Sequence, residues 1–171
     1  RLMLCARIVL LLLVGLLPLA ALAAGTGPET GLPLPRFVSV KADRANLRAG
    51  PGTDYPVRWV YRREHLPVQI VDEWGHWRAV RDPWGGEGWL HKSLLSGRRT
   101  AMVMQDLTPL KREPSPAAEI VPYAERRIIG TLELCRAGWC RLSIDGRAGW
   151  MPGAAIYGGE NDGEAAGEVR E

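Results

Sequence analysis

The chain has 171 residues, 22 basic and 19 acidic, for a formal charge of +3, with seven tryptophans, three histidines and three cysteines. Without the leader residues Arg1 and Arg7 the balance is 20 against 19, and the remaining arginines are scattered rather than gathered into a stripe. That argues against a nucleic-acid-binding surface, and the histidines and cysteines fall in no metal-ligand spacing, so no metal and no cofactor are expected.

Residues 1–24 read as a secretory signal. Arg1 and Arg7 give a positive start, Ile8 to Ala20 is apolar apart from Gly15 and Pro18, and Ala21-Leu22-Ala23 offers the small-x-small cleavage pattern. Cleavage is expected near Ala23 or Ala24, which makes the mature chain periplasmic or secreted. The alternative is an uncleaved anchor, and that segment would then be the chain's only membrane contact. Residues 25–35, rich in Gly, Pro and Thr, read as a linker.

A first unit is expected over 36–97. Phe37-Val38-Ser39-Val40 is strand-like, Gly50-Pro51-Gly52 is a turn, and Leu47 before it and Val57 after it are candidate core anchors. Leu66 to Val71 alternates as a strand. The stretch Glu73 to Leu90 then reads as a hairpin holding Trp74, Trp77, Trp84 and Trp89. Period-two alternation assigns Trp77 and Trp89 to the core face and leaves Trp74 and Trp84 in or beside turns.

The same pattern recurs over 98–158. At an offset of 63 residues Leu110 matches Leu47, Ile120 matches Val57, Gly138 matches Gly75 and Cys140 matches Trp77. The offset then drops to 61, pairing Trp150 with Trp89, and the loss is assigned to the Asp-Pro-Trp-Gly-Gly loop. Leu110, Ile120 and Trp150 are therefore expected in the second core. Cys135 and Cys140 flank four residues that suit a hairpin turn, and in an exported chain such a pair favours a disulfide. Residues 159–171 read as an acidic disordered tail.

The run Asn46-Leu47-Arg48-Ala49-Gly50-Pro51-Gly52-Thr53-Asp54-Tyr55-Pro56-Val57, followed by Trp74-Gly75-His76-Trp77-Arg78-Ala79-Val80 and Gly88-Trp89-Leu90, closely resembles the bacterial SH3 (SH3b) domain. The second copy looks like the same domain, departing at Pro109 for Asn46 and at Glu113 for Gly50, where Glu disfavours φ > 0. The resemblance implies an all-β fold, two tandem small SH3-like β-barrels after a signal peptide. It also implies cell-wall targeting and protein or peptide binding, though a widespread fold does not fix a ligand.

Tyr55, Trp74 and Trp84 are the candidate ligand-binding residues, because turn aromatics can line a groove. No catalytic residue is expected. His65, His76 and His91 lack nucleophile partners, Cys135 and Cys140 occupy each other, and the adjacent Asp72 and Glu73 point to opposite strand faces. The chain therefore reads as a non-catalytic binding module, recognising peptidoglycan or cell-wall glycopeptide. The alternative is an adaptor or structural protein that docks an envelope protein through its barrels.

Overall fold

Short β-branched and aromatic runs, broken by glycine and proline, give strands and tight turns in place of amphipathic helices. The structure is a computed structural model and describes residues 25–159. The expected signal at 1–24 and nearly all of the acidic tail lie outside the described residues. In chain order the strands are β1 Gly25–Thr26, β2 Pro33–Leu34, β3 Arg36–Val40, β4 Ala45–Arg48, β5 Val57–Tyr61, β6 Pro67–Trp74, β7 Trp77–Arg81, β8 Glu87–His91 and β9 Leu95–Ser96. They continue as β10 Thr100–Val103, β11 Thr108–Lys111, β12 Ile120–Ala124, β13 Ile129–Arg136, β14 Trp139–Ile144, β15 Arg147–Pro152 and β16 Ile156–Tyr157. One 3-10 turn precedes β9 and another precedes β16.

Two seven-stranded sheets result. The first runs β5-β4-β8-β7-β6-β3-β9 and the second β12-β11-β15-β14-β13-β10-β16, which is the same order term for term. The fold is therefore all-β, a tandem pair of small SH3-like units. The repeat differs from the expected alignment in one respect. The ladders pair Glu73 with Arg78 and Trp74 with Trp77 in the first unit, and Cys135 with Cys140 and Arg136 with Trp139 in the second. The offset is thus 62 across this hairpin, so Trp77 corresponds to Trp139 and not to Cys140. One residue is lost between β5 and β6, where residues 62–66 become 125–128, and one more beside the Asp-Pro-Trp-Gly-Gly loop. Both losses fall in turns, where strand register is unaffected.

The two units share a strand rather than a linker. All four residues of β10 are buried. Side chains alternate across a strand: Met102 enters the first core with Val40, Leu47, Val68 and Leu90, whereas Ala101 and Val103 enter the second with Leu110, Leu142 and Met151. Polar contacts fix the junction. The Thr100 hydroxyl donates to the His65 carbonyl at 2.7 Å, and the Tyr157 hydroxyl donates to the Arg81 carbonyl at 2.8 Å. The Tyr157 ring also meets Phe37 edge-on at 5.1 Å.

Leu47, Leu110 and Trp150 are buried. Val57 and Ile120 are not: they are 42% and 38% exposed. Each opens an outermost strand, β5 or β12, which pairs on one side only and has nothing packed over its start. Trp77 and Trp89 are half-buried and belong to neither core. On β7 the inward face carries Arg78 and Val80, and on β8 the core residue is Leu90, so the core-facing positions fall one residue away from the expected Trp77 and Trp89. Gly50 does not adopt a positive φ. It is needed because the Tyr55 ring lies on it, where a Cβ would overlap. In the second unit Ala118 stands in place of Tyr55, and Glu113 then has room.

Candidate functional site

Glu73 is the first group to place, because a buried carboxylate is a candidate acid or base. Its side chain is fully buried at the outward end of β6. The segment expected as a linker covers it. β1 and β2 form a small hairpin, and its turn delivers the Thr30 hydroxyl (2.8 Å), the Thr30 amide (2.9 Å) and the Glu29 amide (3.1 Å) to the carboxylate. Gly27 permits the approach, since a Cβ there would overlap the carboxylate. Arg36 on β3 donates to it directly, and Arg78 lies at 3.4 Å. Burial alone would raise the carboxyl pKa, but the Arg36 and Thr30 hydrogen bonds and the Arg36 charge outweigh it and hold Glu73 below the usual carboxylate range. All of its acceptor capacity goes to the fold. Asp72 is exposed and on the opposite face, as adjacency predicts.

The same cross-strand position in the second unit holds the disulfide. Cys135 and Cys140 are bonded, with Cα atoms 4.1 Å apart, where the first unit has Glu73 and Arg78. The two copies close this hairpin end in two ways, one by a buried ion cluster under the β1–β2 strap and one covalently.

The open aromatic surface lies elsewhere. Trp59 on β5 and Trp84 in the loop between β7 and β8 are 63% and 51% exposed, and both line one groove of about 680 Å³. Its floor is Leu47, Tyr61 and Leu66. Asp82 builds the wall that carries Trp84: one oxygen accepts the Trp84 amide at 2.9 Å and the Gly86 amide at 2.7 Å, and the other accepts the Tyr61 hydroxyl at 3.0 Å. Burial, with the Asp82 charge and hydrogen bond, raises the Tyr61 pKa far above its ordinary value, so this hydroxyl stays a donor at every working pH. Four arginines, Arg58, Arg62, Arg63 and Arg127, complete the lining.

Of the three residues singled out in the sequence, only Trp84 lines this groove. Tyr55, 47% exposed, sits on Gly50 in the β4–β5 loop, where Arg48 donates to the carbonyls of Thr53 and Tyr55 at 2.8 Å. Trp74, 67% exposed, ends β6 beside the strap. Trp59 was missed because it sits in an extended run that reads as ordinary strand. Only the sheet order, which makes β5 outermost, shows that its side chain has no cover. Among the described residues no group of three His, Cys, Asp or Glu side chains is placed to hold a metal ion, and no helix is long and apolar enough to cross a membrane.

The family model for the bacterial SH3 domain matches the chain twice, at residues 41–97 and 105–158. No curated protein matches it. Among solved structures, NlpC2 from Trichomonas vaginalis aligns at 16% identity and TM-score 0.33, over 72% of this chain and 48% of that one. NlpC1 from the same organism aligns at 16% identity and TM-score 0.32, over 78% of this chain and 48% of that one. The chain thus spans about half the length of each, and at that level of similarity neither carries an argument about it. The two family matches fall on the two seven-stranded units, and the chain belongs to the bacterial SH3 domain family, as a tandem pair.

Proposed function

We propose that this is an extracytoplasmic, non-catalytic binding module that recognises peptidoglycan or its peptides. The observation that carries the reading is the pair Trp59 and Trp84, both more than half exposed and both lining one groove. Rigid, pre-placed indoles supply large contact area at low entropic cost, which is what a binding surface needs and a core does not. Membership of a family of wall-associated modules supplies the ligand class. The disulfide suits an oxidising compartment. The titratable groups nearest to catalytic form, Glu73, Asp82 and the cysteine pair, are all engaged in holding the fold.

The test is co-sedimentation of the purified mature chain with isolated sacculi, beside a Trp59→Ala/Trp84→Ala variant and an assay for release of wall fragments. Wild-type protein is expected in the pellet and the variant in the supernatant, with no fragments released. Wild-type protein that stays soluble, or that releases fragments, contradicts the reading. A second reading, docking of an envelope protein, is favoured by Trp74 and Tyr55, which are exposed outside the groove. It predicts retention of one specific envelope protein in the absence of wall material.

A further inference from the structure

The groove is not a property of the first unit alone. We propose that it is a composite site, completed by Arg127 of the second unit, that takes an extended peptide bearing free carboxylates along the open edge of β5. This rests on the wall-peptide reading above and specifies its ligand chemistry and its location.

Three observations converge. First, six consecutive residues, Arg58 to Arg63, all contribute to the lining. Four of them, Arg58 to Tyr61, lie on β5 and point alternately to its two faces, so the groove follows the strand's edge and runs on past its end at Arg62 and Arg63. That edge is open: β5 is hydrogen-bonded to β4 alone, leaving an outer row of N–H and C=O groups able to pair with an added extended chain.

Second, the charge is one-sided. Arg58, Arg62 and Arg127 have no carboxylate within ion-pair distance among the described residues. The two acids of the groove are already engaged. Glu87 pairs with Arg81 at 2.8 Å, and Asp82 is held by Tyr61, Trp84 and Gly86. Three guanidinium groups around two exposed indoles suit an anion with apolar faces, and planar forks match carboxylates in particular.

Third, Arg127 is built into place. It adopts φ +69°, its amide donates to the Val103 carbonyl at 2.7 Å, and its carbonyl accepts Arg63 Nη2 at 2.7 Å. Arg63 therefore ties the two units together at the groove and leaves the Arg127 guanidinium to face the ligand. Since β10 is buried in both cores, the two units hold this arrangement as one body.

The test uses the full mature chain and soluble muropeptides with free peptide carboxylates, read by tryptophan fluorescence. Three arms accompany it: the same muropeptides with their carboxylates amidated, hexaglutamate without sugar, and the variants Arg127→Ala and Arg62→Ala. Each variant removes an exposed side chain and keeps the backbone groups that hold the junction. Each is expected to weaken binding about tenfold or more, the effect of losing one charge-assisted hydrogen bond. Amidation is expected to weaken binding at least as much. Binding that is unchanged by Arg127→Ala or by amidation overturns the composite site while leaving wall recognition standing. Hexaglutamate binding as tightly as the muropeptide overturns the wall-peptide assignment. Failure of wild-type protein to bind any muropeptide overturns both.

Discussion

Replacing Glu73 by Ala should unlatch the N-terminal strap and destabilise the first unit together. The carboxylate is fully buried between Arg36 and Arg78, which are themselves buried, and it accepts three hydrogen bonds from Glu29 and Thr30. Removing one partner of a buried ion pair costs about 3–5 kcal/mol, because the other charge is left in a low dielectric without compensation. Here two guanidinium groups are stranded, and the orphaned amides of the strap return to water. Against a total of about 5–15 kcal/mol for a domain, the loss is about a fifth or more. At a urea dependence of about 2 kcal/mol per molar, the midpoint falls by about 2 M. Two assays read the two halves of the effect: urea unfolding followed by tryptophan fluorescence, and hydrogen exchange at the Glu29 and Thr30 amides. Glu73→Gln keeps the shape and one acceptor but not the charge, so it should fall between wild type and Ala. A midpoint for Glu73→Ala within about 0.3 M of wild type, with Glu29 and Thr30 still protected, would refute the latch.

The same latch sets a pH dependence. The folded-state pKa of Glu73 is depressed below its unfolded value, so its contribution is complete above the ordinary carboxylate range and is lost as pH falls through the folded pKa; the protection of the Thr30 amide, relative to its intrinsic exchange rate at each pH, should fall there in wild type and be independent of pH in Glu73→Gln. Met102→Ala removes a side chain of the second unit's first strand from the first unit's core. It should cost about 2–4 kcal/mol and split a single unfolding transition into two in a calorimetric scan; one unshifted transition contradicts the shared-strand account. Reducing Cys135–Cys140 opens a loop with a sequence separation of 5, which in the chain-entropy estimate is worth about 2 kcal/mol. The thermal midpoint should drop without loss of binding, since the bridge is remote from the groove lining. Gly50→Ala should displace the Tyr55 ring, visible as a shifted Tyr55 ring resonance with the groove tryptophans unmoved.

The all-β tandem was readable because its signals are local: turn glycines, short alternating runs and a pattern repeated about 60 residues on. Leu47 and Leu110 flank the same turn in both copies, and both are buried. The disulfide followed from two cysteines beside one hairpin turn in a chain whose start reads as a secretory signal. What failed was set by partners distant in sequence. Val57 and Ile120 look apolar and anchored, yet sheet order puts them on outer strands. Adjacency places Asp72 and Glu73 on opposite strand faces, but it does not show that Glu73 is the buried one, held by Arg36, Arg78 and a strap 43 residues earlier. The lost residue between β5 and β6 is hidden in the sequence because Gly75 with Gly138 and Arg78 with Arg141 match at an offset of 63, whereas the ladder pairs set 62. Arg127 enters the groove through a contact with Arg63 across 64 residues, and no spacing rule predicts that.

The central claim is that the tandem binds wall peptide through the Trp59–Trp84 groove. Its most direct test is a titration of the mature chain with soluble muropeptide, observed at the indole N–H signals of its tryptophans. Shifts at Trp59 and Trp84, with Trp139 and Trp150 silent, are predicted. Shifts confined to Trp74, or none at any indole at saturating ligand, would contradict it.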